Sequence, residues 1–466
     1  MTSSADGWPP LGLSDRLAIV AGKLSARAIR ALGAGLGSNL PGRLARKVSP
    51  EVLRRLSAQC RLGVIAVSGT NGKSTTAGFI YSILRRAGLK IVHNRQGANL
   101  VTGITASIVE AATYDGRLDA DYCLFEIDEA SLPVVAAEVV LGPVVVTNLF
   151  RDQLDRFGEL DTTASLIGRG LLAHRSPAIL NADDPNVAQL AEGCPRLYYG
   201  IESLSGQSTP ASGAGAMELS CCPRCNSDYE YSLVFYGQLG HYRCRSCRHG
   251  RPEPRVAAEN VVVQAGSSSF LLRIDGERLK TAITLPGLFN VYNALAAAAL
   301  ASFLGIPALT VIEGLENYST LFGRSERLSV GDKTVLIQLI KNPAGATQVV
   351  SSAAADPAGR LLIAINDNLA DGRDVSWLWD AEFELLSGHK KVIVVSGQRA
   401  HDMAVRLKYA GVEPALIEVV PSLEKAVGRM LERVSAGETL WILPTYTCLL
   451  ELQKILKARG YLLAGT

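Results

Sequence analysis

The sequence predicts an α/β protein with two parallel sheets, and three observations support this fold class. Short apolar runs rich in β-branched residues alternate with helical patterns between residues 62 and 200. A second alternating series runs from residue 333 to 444. Between the two series lies a segment with two C-x-x-C pairs, which predicts a small inserted metal-binding unit.

The elements follow in a simple order along the chain. Residues 1–55 carry basic helical patterns without a strand-loop-helix unit. The first series predicts a central domain over 56–325, with the insertion at about 218–254, and the second predicts a Rossmann-like α/β domain over 326–466. The predicted strands are 62–68, 121–128, 142–148, 176–181, 333–340, 360–366, 390–396, 415–420 and 438–444, and a helical pattern follows each strand of the second series.

The composition is that of a globular protein. The chain has 466 residues, 48% of them hydrophobic and 20% charged, and its net charge of +3 argues against a nucleic-acid platform or a polybasic membrane anchor. Because no basic stretch precedes an unbroken apolar segment at the N-terminus, we expect no secretory signal and a cytoplasmic location, with contact to the inner face of the plasma membrane left open. Residues 295–312 are broken by Gly305 and Pro307, which favours a buried helix and a turn over a membrane span.

Residues 66–76, AVSGTNGKSTT, are typical of a phosphate-binding loop between a strand and a helix. Small residues let backbone N–H groups reach phosphate oxygens, the lysine adds positive charge, and the serine offers a hydroxyl to Mg²⁺ at a helix N-terminus. Val67 stands where the general pattern has its first glycine, so the loop is a variant. The pattern predicts that a nucleoside triphosphate is bound by Gly69, Thr70, Asn71, Gly72, Lys73, Ser74 and Thr75.

The cysteine cluster predicts a structural zinc site. Cys222 and Cys225 form one C-x-x-C pair, and Cys244 and Cys247 form a second pair beyond a spacer at 226–243. Two such pairs complete a tetrahedral sulfur site with no open position. Two separate redox pairs are the alternative, but neither pair has a thioredoxin-like strand-helix context. Arginines surround the second pair, and we interpret them as solvated surface residues rather than a nucleic-acid contact because the chain is nearly neutral.

The loop sequence GTNGKST resembles the ATP site of the Mur ligase superfamily, the ATP-dependent carboxylate ligases of peptidoglycan and folate metabolism. The resemblance implies that Glu126, at the end of a predicted strand, helps to hold magnesium together with Ser74, a role that Asp128 or Glu129 could share. The segment VVVTNLFRDQLDRFG is similar to a further family motif and places Asn148 near the nucleotide. Gln153 replaces the usual histidine of that motif.

Three later segments extend the resemblance. NADDP at 181–185 is similar to the family's ribose and adenine contact segment, which implies nucleotide contacts for Asn181 and Asp184. LPGLFNVYNALAAA implies that Asn290 and Asn293 contact adenine, with Phe289 in place of the usual histidine. FGRSER at 322–327 implies a phosphate contact for Arg324. Any one of these side chains alone would more often be a helix cap or a surface residue.

Departures from the family pattern narrow the expected function. Only about 60 residues precede the loop, so we expect no UDP-binding domain, and no lysine lies between Lys90 and Lys280 to be carbamylated. The linker reads LIKNPAG, with Lys341, Asn342 and Pro343 at the positions of a different family motif. The combination is similar to the ligase subunits of lipid II isoglutaminyl synthases. It implies ATP-dependent amidation of the D-glutamate α-carboxyl of lipid II through an acyl phosphate.

The same resemblance implies a heterodimer with a glutaminase of the GatD type that supplies ammonia. The chain itself has six histidines and no G-x-C-x-G nucleophile elbow, so glutamine hydrolysis needs another polypeptide. In this interpretation Lys73 and Glu126 serve the ligase reaction, and Asp374 or Asp371 completes the partner's catalytic triad, with Asp380 as a third candidate. Trp377 and Trp379, which flank this acidic loop, suit a protein contact surface.

Two rival hypotheses remain open from the sequence. One is a partner-independent ligase of the Mur or folylpolyglutamate type that adds an amino acid to a carboxylate, although the absent UDP domain and lysine weigh against it. The other is a nucleotide-controlled zinc protein that binds nucleic acid. The small net charge and the 6% aromatic content do not favour strong oligonucleotide binding.

Overall fold

A computed structural model describes residues 11–31, 39–94, 98–151, 160–205, 221–264, 266–318, 324–356 and 358–461. Within these residues the chain forms a nine-stranded sheet, a six-stranded sheet and a two-stranded hairpin. Helices cover both large sheets, as the alternating sequence pattern predicts.

The nine-stranded sheet has the order β11-β10-β9-β6-β5-β4-β1-β3-β2. Neighbouring strands from β2 to β9 in this order pair in parallel, and β10 and β11 add an antiparallel edge. The strands are β1 (Gly63–Ser68), β2 (Ile91–His93), β3 (Tyr122–Glu126), β4 (Val144–Val146), β5 (Ala178–Asn181), β6 (Arg196–Ile201), β9 (Val256–Val263), β10 (Ser268–Ile274) and β11 (Glu277–Ile283).

Helices pack on both faces of this sheet and enclose two separate apolar cores. Helix α4 follows the phosphate loop and packs against α9 and α10 on one face. The helices of this part are α1 (Leu13–Ala31), α2 (Leu40–Val48), α3 (Val52–Ser57), α4 (Lys73–Arg86), α5 (Val101–Ala111), α6 (Leu132–Glu138), α7 (Leu160–Leu172), α8 (Pro185–Ala188), α9 (Leu288–Phe303) and α10 (Ala308–Glu316).

The inserted hairpin, which we call the ribbon, lies between β6 and β9 in the chain. Its strands are β7 (Tyr229–Tyr236) and β8 (Leu239–Cys244), which pair with each other in antiparallel register. The alanine-rich segment considered as a membrane span forms α9, which is buried over most of its length, and a turn before α10. Among the described helices, none combines the length and apolar character that crossing a bilayer requires.

The second sheet has the order β12-β13-β17-β14-β15-β16, and only β12 runs antiparallel to its neighbour. Its strands are β12 (Arg324–Val330), β13 (Lys333–Gln338), β14 (Arg360–Ala364), β15 (Ile393–Ser396), β16 (Ile417–Val419) and β17 (Thr439–Pro444). Its helices are α11 (Pro343–Ala354), α12 (Ala400–Tyr409), α13 (Leu423–Arg433) and α14 (Tyr446–Ala458), and its 3₁₀ turns are Ser376–Trp379, Phe383–Leu386 and Pro414–Leu416.

The predicted α/β class and all nine predicted strands are confirmed. The sequence also predicted strands over residues 258–285, where β9, β10 and β11 lie. It did not name β2, β6, β7 or β8 as strands, and it assigned the start of β12 to a phosphate-contact motif. The prediction that a helix follows every strand of the second series was wrong for β14, which leads into two 3₁₀ turns. A Gly- and Asp-containing loop at 367–374 precedes these turns, and such residues favour turns over helix starts.

Close packing of α10 on α4 generates a stability prediction. A Cβ atom at Gly314 would lie 2.6 Å from the Ile83 Cα atom, whereas a Cβ atom at Gly168 in α7 would meet no heavy atom within 4 Å. We expect Gly314→Ala to lower stability by about 1–3 kcal/mol through overpacking. Gly168→Ala should stabilise by up to about 1 kcal/mol through helix propensity. Thermal unfolding of both variants beside wild type tests this; equal shifts would contradict the packing argument.

Candidate active site

The loop between β1 and α4 has a backbone shape that requires glycine at two positions. Gly69 has φ 118° and Gly72 has φ 84°, in the region that L side chains rarely adopt. A Cβ atom at Gly69 would lie 2.4 Å from the Thr147 Oγ1 atom, and one at Gly72 would lie 2.0 Å from the Asn293 Oδ1 atom. The loop is therefore fitted between β4 and α9, and its shape leaves α4 with an open N-terminus suited to an anion.

Lys73 is the first residue of α4, and its side chain is buried beneath the loop. Its Nζ atom donates to the Gly69 carbonyl at 2.5 Å and lies 3.2 Å from the Glu129 carboxylate. Burial raises the pKa of the Glu129 carboxyl, and the positive charge of Lys73 opposes that rise. A buried ammonium held beside one carboxylate is a cation that an arriving phosphate can attract.

Ser74 and Glu126 meet directly, as the magnesium assignment requires. The Ser74 hydroxyl donates to the Glu126 carboxylate, and both side chains are buried. Asn94, which follows the neighbouring strand β2, holds the end of β3. Its Oδ1 atom accepts from the Glu126 N–H at 2.8 Å, and its Nδ2 atom donates to the Glu126 carbonyl at 2.7 Å. A hydroxyl and a carboxylate oxygen are ligands that Mg²⁺ prefers, so this pair fits the ion.

The end of β4 clamps the phosphate loop. The Asn148 Oδ1 atom accepts from the Asn71 N–H at 2.9 Å, and its Nδ2 atom donates to the Asn71 carbonyl at 3.1 Å. The Thr147 hydroxyl donates to that same carbonyl at 2.7 Å. The Thr70 N–H donates to the Asn148 carbonyl at 2.9 Å. Asn148 therefore holds the backbone of the phosphate loop in place. Its side chain lies beside the position that a bound phosphate would occupy.

A cleft opens beside the loop, between the two sheets, and both parts of the chain line it. Asn290 and Asn293 lie on its wall together with Phe289, and the Thr76 hydroxyl donates to the Asn293 Oδ1 atom at 3.2 Å. The part of the chain that forms the nine-stranded sheet and the ribbon contributes Asn71, Gly72, Thr75, Asn148, Phe150, Tyr236, Phe289, Asn290 and Asn293 to the lining.

The C-terminal part of the chain closes the cleft from the other side. Lys341 donates from Nζ to the Thr70 carbonyl at 3.2 Å, and the Asn342 Nδ2 atom donates to the Asn71 Oδ1 atom at 2.9 Å. Gln338 also lines the cleft, and its buried amide has no hydrogen-bond partner for either polar atom among the described residues. An unsatisfied buried amide is costly, so Gln338 is suited to pair with a ligand.

Two predicted nucleotide contacts lie away from the cleft lining. Asn181 is fully buried and donates from Nδ2 to the Thr147 carbonyl at 3.2 Å. Asp184 caps α8 by accepting from the Asn186 N–H at 3.0 Å and also accepts from the Leu149 N–H at 2.8 Å. Burial raises the pKa of Asp184 to about 6. Both side chains support the strand ends behind the loop, and their contact with a nucleotide stays a prediction.

The remaining motif residues divide between described and undescribed parts of the chain. Arg324 begins β12, and its backbone lies opposite Gln338 in the sheet register. The segment 152–159, which contains Gln153 and the aspartates of the predicted motif, lies outside the described residues.

The four predicted zinc ligands meet at the far end of the ribbon. The Sγ atoms of Cys222, Cys225, Cys244 and Cys247 all lie within 4.8 Å of one another. A tetrahedral zinc site with bonds of about 2.3 Å needs sulfur separations of about 3.8 Å, so the arrangement fits zinc. A backbone hydrogen bond from the Ser227 N–H lowers the pKa of Cys225 to about 6, which favours the thiolate that binds metal.

The two candidate aspartates of the acidic loop after β14 differ in their burial and in their hydrogen bonds. Asp371 is buried and accepts from the Thr447 N–H at 2.7 Å and from the Thr447 hydroxyl, so it holds the first turn of α14. Asp374 is exposed and accepts from the Ser376 N–H at 2.8 Å, and that bond lowers its pKa. Asp374 is the one of the two that presents a charged carboxylate to solvent.

Large apolar side chains are exposed near this loop. Trp379 is 54% exposed and packs edge-on against Tyr409, which is 72% exposed, with a ring separation of 5.8 Å. Val405, on the same helix as Tyr409, and Leu385, on the next 3₁₀ turn, are also exposed. Trp377, in contrast, packs against the core of the second sheet. We call the exposed group, Leu385, Val405, Trp379 and Tyr409, the aromatic surface.

Sequence reasoning missed several residues of the site. Asn94 follows a three-residue strand that lacks a strong pattern, and only the sheet order brings it to Glu126. Gln338 and Tyr236 end strands from different parts of the chain. The one available signal was their position at the C-terminal ends of strands, which is where α/β sites form.

Comparison with protein-family models gives two matches. Residues 67–212 and 224–301 match the Mur ligase middle domain, and residues 339–449 match the MurT ligase C-terminal domain. Curated relatives match over nearly the full length. The chain is 37% identical over 436 residues to "Lipid II isoglutaminyl synthase (glutamine-hydrolyzing) subunit MurT" of Staphylococcus aureus, covering 93% of this chain and 95% of the relative. It is 33% identical to the Streptococcus pneumoniae protein of that name, covering 96% and 98%.

Solved structures share the fold at lower identity. A pseudomurein peptide ligase type C from Methanothermus fervidus superimposes with a TM-score of 0.69 at 24% identity, covering 87% of this chain and 80% of that one. Folylpolyglutamate synthase from Mycobacterium tuberculosis gives a TM-score of 0.61 at 13% identity, covering 94% and 98%. At these identities the likeness shows the fold alone.

The cysteine geometry predicts one tightly bound Zn²⁺ per chain. We expect Cys244→Ser to remove most of the metal, because one of four thiolate ligands is lost. Cys221→Ser is the matched control, since Cys221 is adjacent to the pairs but lies outside the four-sulfur cluster. Metal analysis of the purified variants measures this. Retention of zinc by Cys244→Ser, or its loss in Cys221→Ser, would contradict the assignment.

Proposed function

The chain belongs to the MurT family of Mur ligase-like proteins, and from this premise we propose that it amidates lipid II. In this proposal it is the ATP-dependent ligase subunit that converts the α-carboxyl of D-glutamate in the stem peptide to the amide of D-isoglutamine. The names of the relatives, which include lipid II and glutamine hydrolysis, support this substrate and this nitrogen source.

The observation that carries the proposal is the cleft beside the phosphate loop. Its loop backbone, the buried Lys73 and the Ser74–Glu126 pair together suit a magnesium-bound triphosphate. A magnesium ion at Ser74 and Glu126 would offset negative charge on the phosphates. Lys341 reaches the loop from the other side and adds a second cation.

The proposed chemistry has two balanced steps. A carboxylate oxygen of the substrate attacks the γ-phosphorus, the bond to the β-phosphate oxygen breaks, and ADP leaves, which gives an acyl phosphate. Ammonia nitrogen then attacks the acyl carbon, inorganic phosphate leaves, and the nitrogen loses a proton to give the amide. Lys73 favours the first step because negative charge moves onto the oxygens near its ammonium group.

The nitrogen source in this proposal is a glutaminase partner of the GatD type. Ammonia must reach the acyl phosphate unprotonated, which favours delivery from a neighbouring active site over uptake from water. Asp374 suits the partner contact because its carboxylate is exposed and is charged at neutral pH. A carboxylate can orient a catalytic histidine and stabilise its positive form. The aromatic surface beside this loop suits the same partner.

Removal of the loop lysine tests the ligase proposal. With the glutaminase partner, ATP, Mg²⁺, glutamine and lipid II present, we expect Lys73→Ala to slow amidation on the order of 100-fold or more, because a cation at the transferring phosphate is lost. Lys90→Ala is the matched control, since Lys90 lies on the surface in an exposed ion pair with Asp119. Product is measured by mass spectrometry of the muropeptides. Undiminished amidation by Lys73→Ala would rule the scheme out.

The choice between the two aspartates gives a separate test. We expect Asp374→Asn to reduce glutamine-dependent amidation by up to about 10⁴-fold, by analogy with loss of a triad carboxylate, while amidation with added ammonia persists. Asp371→Ala should instead lower the unfolding temperature, because the Thr447 N–H in the first turn of α14 loses its acceptor, a change worth about 1 kcal/mol.

Asp380→Asn tests the third candidate, an exposed residue that follows the turn Ser376–Trp379; we expect it to change neither rate, and loss of the glutamine reaction there would assign the role to Asp380 instead of Asp374. Equal loss of the glutamine and ammonia reactions in Asp374→Asn would contradict the assignment. Amidation or peptide-bond formation by the chain alone, with an amino acid and no glutaminase, would favour the partner-independent ligase.

A further inference from the structure

The ribbon joins the cysteine cluster to the cleft. In its register Tyr229 pairs with Cys244 at one end, and Tyr236 pairs with Leu239 at the other. Seven residue steps along a strand span roughly 23 Å, so the cluster and the hairpin turn lie at opposite ends of the ribbon. The cysteine end is remote from the cleft, whereas Tyr236 is part of its lining.

The turn of the ribbon is fixed to the residues that follow the loop clamp. The Gln238 Nε2 atom donates to the Leu149 carbonyl at 2.6 Å, and the Gly240 N–H donates to the Asp183 carbonyl at 3.0 Å. The Tyr236 and Phe150 rings are stacked, with centroids 5.8 Å apart and planes inclined by 20°. Tyr236 is therefore held in one position rather than left as a free side chain.

The lining around Tyr236 has the chemistry of a base-binding wall. Phe150, Tyr236 and Phe289 present aromatic rings to the cleft, and the amides of Asn290 and Gln338 lie on the same lining. Aromatic rings stack on a nucleobase, and amides pair with its edge because each offers a donor and an acceptor. The phosphate loop contributes Asn71, Gly72 and Thr75 to the same lining.

We propose that the ribbon supplies Tyr236 as part of the wall that binds the purine base, so that the metal at the cysteine cluster supports nucleotide affinity from a distance. This inference rests on the proposed use of ATP. The cysteine end of the ribbon belongs to a small buried apolar cluster, whereas Tyr236 and Leu239 at the turn belong to the large core on one face of the nine-stranded sheet. Metal binding at the cysteines stabilises the far end of the strand that carries Tyr236, because such sites couple binding to folding.

Nucleotide binding by the full-length, metal-loaded chain tests the first part. ATP and inorganic tripolyphosphate are the two probes, measured by isothermal titration calorimetry with Mg²⁺. We expect Tyr236→Leu to weaken ATP binding about tenfold, because base stacking is lost. Tripolyphosphate, which lacks a base, should bind as it does to wild type. Phe235→Leu is the matched control, since Phe235 is the adjacent ring and does not line the cleft.

The cysteine cluster is tested by the same two probes. We expect Cys225→Ser to lose zinc and to weaken ATP binding about as much as Tyr236→Leu, with tripolyphosphate binding retained. The double variant should bind ATP no more weakly than the weaker single variant, because both changes remove one contact. Retained tripolyphosphate binding also reports that the phosphate loop is folded.

The outcomes separate this inference from the proposed function. Wild-type ATP affinity in Tyr236→Leu, or equal weakening by Phe235→Leu, would overturn the inference alone. Loss of tripolyphosphate binding in Cys225→Ser would overturn the proposed route through the base wall, since the ribbon would then support the whole domain. A wild-type chain that bound no ATP would overturn both the ligase proposal and the inference.

Discussion

The hydrogen bonds between Asn148 and the backbone of Asn71 are the interaction on which the rest of the site depends. They hold the phosphate loop against the end of β4 from both its N–H and its carbonyl side. A loop fixed in this way determines where α4 begins, and therefore where Lys73 and Ser74 lie. Because the loop needs positive φ at two glycines, its conformation costs free energy that these long-range contacts offset. The site is prepared by the neighbouring strand rather than by the loop sequence alone.

The same loop is also the point where the two halves of the chain meet. Asn342 caps α11 by accepting from the Gly345 N–H at 2.9 Å, and its amide simultaneously pairs with Asn71. Any ligand that changes the position of Asn71 therefore acts on the first turn of α11, to which Lys341 is adjacent. Binding at the loop and the placement of the second sheet are therefore linked through the Asn342–Asn71 pair and through the hydrogen bond from Lys341 to the Thr70 carbonyl.

The sequence sufficed for features that are local, and it failed where contacts depend on sheet order. The loop, the four cysteines and the β-branched strands each carry their signal within a few residues, and the structure has them where they were predicted. Asn94 meets Glu126 only because β2 pairs with β3, and Gln338 reaches the cleft only because the second sheet packs beside the loop. An aspartate suits either a helix cap or a triad carboxylate, so the residue type alone did not distinguish Asp371 from Asp374. Their burial distinguishes them, and burial cannot be read from a single sequence.

The NADDP segment illustrates how a motif can serve a site without lining it. Asp183, at its centre, is fully buried and accepts from the Tyr292 hydroxyl and the Ile201 N–H at 2.7 Å each, while it pairs with Arg251 at 2.6 Å. Burial raises the pKa of this carboxyl, and Arg251 opposes the rise. One side chain thus joins α9, β6 and the segment after the ribbon. Truncation of either charged partner would leave the other buried and unpaired, so the packing of these three elements depends on this junction.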